Sequence, residues 1–151
     1  MTHMNEIIVA LDWGAARIGV ASTDFVARLP TPREAILEKD KAAQIRRAVD
    51  VVTRLEATTV LVGLPLELGG SDSLVTRSAR MFAQKLAAAL ADSGETAPQV
   101  LLVDERFTSA EATARLKEAG ARPTGRDART GRLDSASAAV LLGHWLEASG
   151  R

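Results

Sequence analysis

The sequence predicts an α/β fold: a mixed five-stranded sheet, made of a three-strand antiparallel meander followed by parallel strands, with helices on both faces. Three observations predict it. Short continuous apolar runs at Ile7–Leu11, Thr59–Gly63 and Val100–Val103 have the length and composition of strands buried on both faces. Segments with helical spacing alternate with the later runs, the order expected of a parallel sheet with crossover helices. The first run is instead followed closely by two more strand-like segments, which makes a meander.

The first run, Ile7-Ile8-Val9-Ala10-Leu11, ends abruptly at Asp12, and Gly14 lets the backbone turn while the carboxylate stays at the mouth of the turn. Arg17 to Ser22 alternates and returns as a hairpin partner, with Ile18 and Val20 on one face. Arg28 to Ile36 contains Pro30 and Pro32, which restrict it to an edge strand or an irregular return closing the meander. From Asp40 to Ala57, Ile45, Val49, Val52 and Leu55 recur at helical spacing, with Arg46, Arg47, Asp50 and Arg54 on other faces. The strand Thr59–Gly63 follows. After Gly69-Gly70-Ser71 a long helix is expected from about Asp72 to Ala91, with Val75, Ala79, Phe82, Leu86 and Leu90 as its core stripe and Gly94 as its stop.

The strand Val100–Val103 ends at Asp104-Glu105-Arg106. Thr108 and Glu111 form a capping-box signature for a helix that Gly120 can close. Arg122 to Arg132 is too rich in Pro, Gly and Arg to be regular, and Asp134 starts the final helix, striped by Ala138, Leu141, Leu142 and Trp145. No internal repeat, low-complexity tract or linker interrupts this order, so residues 1–151 are expected to form one domain.

Composition removes whole classes of chemistry. With no cysteine, disulfides, thiolate zinc sites and a cysteine nucleophile are excluded, and His3 and His144 are too isolated in sequence for a histidine-rich metal site. The apolar run near the amino terminus is shorter than a secretory signal requires, and no segment could span a membrane, so a cytoplasmic protein without a membrane partner is expected. Nineteen basic residues balance nineteen acidic ones, so contact with nucleic acid must come from a local patch.

Parallel strands end along one sheet edge, the usual ligand-binding edge of such folds. Asp12 and the Asp104-Glu105 pair both end apolar runs, and adjacent parallel placement would bring them together there. A final helix starting at the same edge would add Asp134, favoured by the positive helix end. Such carboxylates repel one another unless divalent cations neutralise them, and oxygen-only ligands suit Mg2+ or Mn2+. Two such ions could activate water and stabilise the leaving oxygen in phosphodiester hydrolysis. Spacing does not choose between Asp104 and Glu105.

Each residue also has a plainer reading. Asp12 could cap a turn, Asp134 could cap a helix, and Arg106 could organise neighbouring carboxylates. Arg122, Arg126, Arg129 and Arg132 could be a solvated run; their place just before Asp134 favours contact with phosphates. Ser71 and Ser73 suit helix capping better than phosphate binding. Trp13 suits core closure better than base stacking, and Trp145 or Phe82 could reach a dimer surface.

Four blocks taken together, ALDWGAARIGVASTD, VGLPLELGGS, VDERFTSAEA and LDSASAAVLL, resemble the YqgF family, also called RuvX, over nearly the whole chain. That resemblance implies a ribonuclease H-like sheet and a metal-dependent nuclease site related to Holliday junction resolvases. It also implies a role in maturing the 5′ end of precursor 16S rRNA. The family's acidic residues fall on Asp12, Glu105 and Asp134, which makes these the implied catalytic metal ligands, with Asp104 and Arg106 in support. Arg17 and the arginine loop would position phosphates. The chain departs from the pattern at Ala16, where many members have lysine, and at Glu67 and Gly69-Gly70 in the loop after Gly63-Leu64-Pro65. The expected partner is structured nucleic acid, precursor rRNA or branched DNA, bound by a monomer or a homodimer; junction resolution would require the dimer, because two strands are cut symmetrically. Two readings compete from outside the nuclease class: a phosphotransferase or ATPase, since an Asp-x-Gly hairpin also opens two-lobed nucleotide-binding folds, and a nucleic-acid-binding module without catalysis.

Overall fold

The computed structural model describes residues 6–23, 29–65, 73–94, 96–104 and 130–150. Among these, five strands form one sheet: β1 (Ile8–Trp13), β2 (Arg17–Thr23), β3 (Pro30–Leu37), β4 (Thr59–Leu64) and β5 (Gln99–Asp104), in the order β3-β2-β1-β4-β5. The first three pair antiparallel; β4 runs parallel to β1, and β5 parallel to β4. The expected mixed sheet is therefore present, with β1 at its centre. A central strand needs two apolar faces, and Ile8, Val9, Ala10 and Leu11 are all fully buried. The proline-bearing β3 lies at one edge, where a missing amide donor costs no ladder bond.

One expectation changes. β5 is not adjacent to β1, because β4 lies between them. The carboxyl ends of β1 and β5 are thus separated by two strand spacings, about 10 Å. In register, Leu11 faces Val62 and Val62 faces Leu102, so Asp12 stands one residue past that row and Asp104 two.

Among the described residues, two helices cover one face, α1 (Lys41–Arg54) and α2 (Leu74–Asp92), and α3 (Arg132–Ser149) covers the other. Strand alternation divides the core accordingly. Val9, Leu11, Val60 and Val62 pack with Ala48, Val52, Phe82 and Leu86; Ile8, Ala10, Ala21 and Leu61 pack with Ala138, Leu141, Leu142 and Leu146. Each large aliphatic side chain buried in these layers stabilises the fold by about 1.5–3 kcal/mol relative to exposure.

The helices begin where their caps allow. Asp40 accepts the Ala43 amide at 2.8 Å and Ser73 accepts that of Thr76 at 3.1 Å, so Ser73 is a capping serine; Ser71 lies outside the described residues. The expected stripe of α2 is corrected at its first position. Val75 is exposed, and Thr76 takes the buried place in phase with Ala79 and Ala83, its hydroxyl donating to the Pro65 carbonyl. Among the described residues no helix is long and apolar enough to cross a membrane.

Candidate active site

Asp12 sits at the carboxyl end of β1 and shares the parity of Ile8 and Ala10, the residues beneath α3. Its antiparallel partner is Gly19. There the first turn of α3 lies directly on β2: a methyl group at Gly19 would collide with the carbonyl of Asp134 and lie 2.7 Å from the Ser135 amide nitrogen. The Val20 amide secures this seat by donating to the buried Ser135 hydroxyl at 3.0 Å, where the β2–β3 register shifts. A second glycine helps. Gly131, with φ of 75°, leads into α3 and brings its backbone against Ala35 of β3.

This docking places Asp134 beside the carboxyl end of β1. It also corrects the helix start: α3 opens at Arg132, Gly131 holds the cap position, and Asp134 lies inside the first turn. The aspartate does not cap. Its Oδ2 accepts from Arg17 Nε at 3.0 Å, with the two side chains 31% and 39% exposed, and the positive end of α3 also favours its charge. Arg17, expected to meet phosphate, therefore holds Asp134; it also lines an open depression of about 550 Å³ with Leu37, Glu38 and Lys39.

The remaining candidates divide as follows. Asp104 ends β5, exposed, with the parity of Val100 and Leu102 and opposite to Leu101 and Val103, which pack beneath α3. Arg132 belongs to α3 and not to the preceding loop, with its side chain exposed. Glu105, Arg106, Arg122, Arg126 and Arg129 lie outside the described residues. Among the described residues no group of three or more His, Asp or Glu gathers in a metal-binding arrangement; Asp12 and Asp134 are the expected ligands that can be placed.

The turn carrying Asp12 is held from the other face of the sheet. The indole of Trp13 packs 6.5 Å from the Phe82 ring and donates Nε1 to Gln44 Oε1 at 3.1 Å. The Gln44 amide then donates to the carbonyls of Gly14 at 3.0 Å and Glu38 at 2.9 Å. Phe82 is buried here and does not offer a dimer surface. Sequence reasoning missed Gly19, Ser135 and Gln44. Glycine inside a strand does signal close backbone approach; a glutamine beside Ile45 carries no comparable signal.

Comparison with known proteins agrees with this geometry. The sequence matches the RuvX family, described as "Holliday junction resolvase", over residues 6–148. The chain belongs to the RuvX family. A relative from Anaeromyxobacter sp. (strain Fw109-5), named "Putative pre-16S rRNA nuclease", is 38% identical over 139 residues, covering 92% of this chain and 95% of the relative. A second of the same name, from Leifsonia xyli subsp. xyli (strain CTCB07), is 35% identical over 142 residues, or 93% of this chain and 84% of the relative. Among solved structures, Thermus thermophilus RuvC has a TM-score of 0.59 at 12% identity, covering 95% of this chain and 96% of that one. Fowlpox virus resolvase, solved with Holliday junction DNA, also has a TM-score of 0.59 at 12% identity, covering 96% and 99%. At such identities the likeness is one of fold, and this RuvX-family chain has the RNase H-like sheet of those resolvases.

Proposed function

We propose that the chain is a divalent-metal-dependent endonuclease that hydrolyses phosphodiester bonds in structured nucleic acid, with the 5′ end of precursor 16S rRNA as its substrate. The observation that carries this reading is the seating of α3 on Gly19. It draws Asp134, from the last helix, to the strand end that presents Asp12. Two partly buried carboxylates from remote parts of a chain, brought to one strand end, fit a site for hard cations. The names of the curated relatives support the RNA substrate.

In this reading Asp12, Glu105 and Asp134 hold Mg2+ or Mn2+, two ions by the chemistry required. Bound there, such ions supply Lewis acidity toward the phosphodiester and its attacking water. The chain's own residues supply orientation. Arg17 binds one oxygen of Asp134, fixes the orientation of that carboxylate and leaves its other oxygen for a ligand. Asp104 has the parity opposite to the residues beneath α3, the side on which Asp12 lies, which disfavours Asp104 as the third ligand. Arg122, Arg126, Arg129 and Arg132, with the outer part of Arg17, contact the phosphate backbone without reading bases. Residues 1–151 act as one nuclease domain.

A second reading, resolution of four-way DNA junctions, draws on the resolvase fold and the family description. It requires a homodimer. The deciding experiment offers purified protein a labelled precursor rRNA fragment and a four-way DNA junction side by side, with Mg2+ or Mn2+, and Asp12→Asn as control. Cleavage of the RNA by the parent alone supports the proposal; preference for the junction selects the second reading. Binding without cleavage of either would overturn both and favour a non-catalytic binding module.

A further inference from the structure

On the face of the sheet opposite α3, a groove of about 460 Å³ lies between α1 and α2. Its floor is apolar and aromatic, formed by Trp13, Phe82 and Met81, and its rim carries Lys41, Arg77 and Lys85. Among the described residues no carboxylate lines it. Lys41 and Arg77 lie in the first turns of α1 and α2, neither of which contains an acidic residue. Cations there oppose the positive helix ends, so their charge adds to that of the helices instead of neutralising it. Met81 is 51% exposed in a groove that it lines together with Trp13 and Phe82. An anion with a flat apolar part complements this surface. The groove also begins one residue from Asp12, since Trp13 follows it on β1 with the opposite parity.

We propose that this groove is a binding site for an unpaired nucleotide of the nucleic-acid strand that Asp12 and Asp134 engage, with its base against Trp13 and Met81 and its phosphates on Lys41, Arg77 and Lys85. This rests on the nuclease reading of that site. A strand laid across the carboxyl end of β1 meets the carboxylates on one side of the sheet and the groove on the other. The base contacts are stacking contacts, so the site takes single strands with little sequence preference.

Trp13 is itself the reporter. With Trp145→Phe as the background, the full-length protein is titrated with a short oligouridylate in EDTA, and binding is followed by Trp13 emission and by anisotropy of a labelled oligonucleotide. Saturable quenching is expected. Lys41→Glu, Arg77→Glu and Lys85→Glu, all at exposed positions that leave the core intact, each weaken binding by about tenfold and flatten its salt dependence. Anisotropy-detected binding with no change in Trp13 emission, and equal affinity in the three variants, overturns the groove. Cleavage of the precursor rRNA fragment with metal, measured on the same proteins, then tells whether the nuclease reading stands without it. Quenching as strong with uridine monophosphate as with the oligonucleotide overturns the strand assignment in favour of a free-nucleotide pocket. Self-association lost in the Met81→Glu variant, with no oligonucleotide binding, overturns it in favour of a protein interface.

Discussion

Gly19 is the residue on which the site turns, because the absence of a side chain there lets a helix backbone rest on a strand. Restoring a methyl group forces α3 away from β2. Gly19→Ala is expected to cost about 1–3 kcal/mol in urea unfolding, the usual range for overpacking, and to abolish cleavage by displacing Asp134. A variant as stable and as active as the parent would show that α3 has other room. Arg17 and Asp134 make a different prediction. Their ion pair is partly exposed, so a double-mutant cycle with Arg17→Gln and Asp134→Asn should give a coupling of only about 0.2–1 kcal/mol in stability. Activity should fall far more steeply than stability in either single variant. A coupling well above that range would mean that the pair serves mainly to hold the fold.

At the scale of elements, the β1–β2 hairpin presents Asp12, and α1 holds that hairpin through one glutamine. Gln44 is 1% exposed and bonds to Trp13, Gly14 and Glu38, three groups that would otherwise lack these partners. Gln44→Leu keeps the volume and removes every bond. The expected loss is about 2–4 kcal/mol by thermal or urea unfolding, from polar groups left without a partner near the interior. Red-shifted Trp13 emission should accompany it. An unchanged stability would mean that water replaces the amide at little cost. The start of α3 shows what an element decides that a residue cannot: a sequence signal for a cap at Asp134 gives way to Gly131, whose left-handed backbone and missing side chain let the chain enter the helix against Ala35 of β3.

At the scale of the whole molecule, the described residues stand on two apolar layers, one on each face of the sheet, and Asp12 and Asp134 are only partly buried beside them. Chelation should therefore abolish cleavage while leaving the protein folded. In EDTA the thermal midpoint is expected to fall only by the mass-action contribution of bound ions, as read by calorimetry with and without Mn2+. Unfolding on chelation would make the metal structural and reverse this ordering of core and site. Much of this architecture was legible in the chain itself. Uninterrupted apolar runs identified the strands of the parallel half, prolines identified the edge at β3, and the ends of Ile7–Leu11 and Val100–Val103 pointed to the acidic candidates. Burial on two faces, which leaves a pattern in composition, holds for β1 and β4, whereas β5 lies at the opposite edge of the sheet and is only partly covered, with Leu102 43% exposed. Strand order left no such pattern: a run buried on both faces reads alike wherever it lies in the interior, so the position of β4 between β1 and β5 emerged only from pairing. The same holds for the partnership of Arg17 with Asp134 and the polar roles of Ser135 and Gln44. Those contacts join residues far apart in the chain, and their geometry is decided by how closely one backbone can approach another, at Gly19 above all.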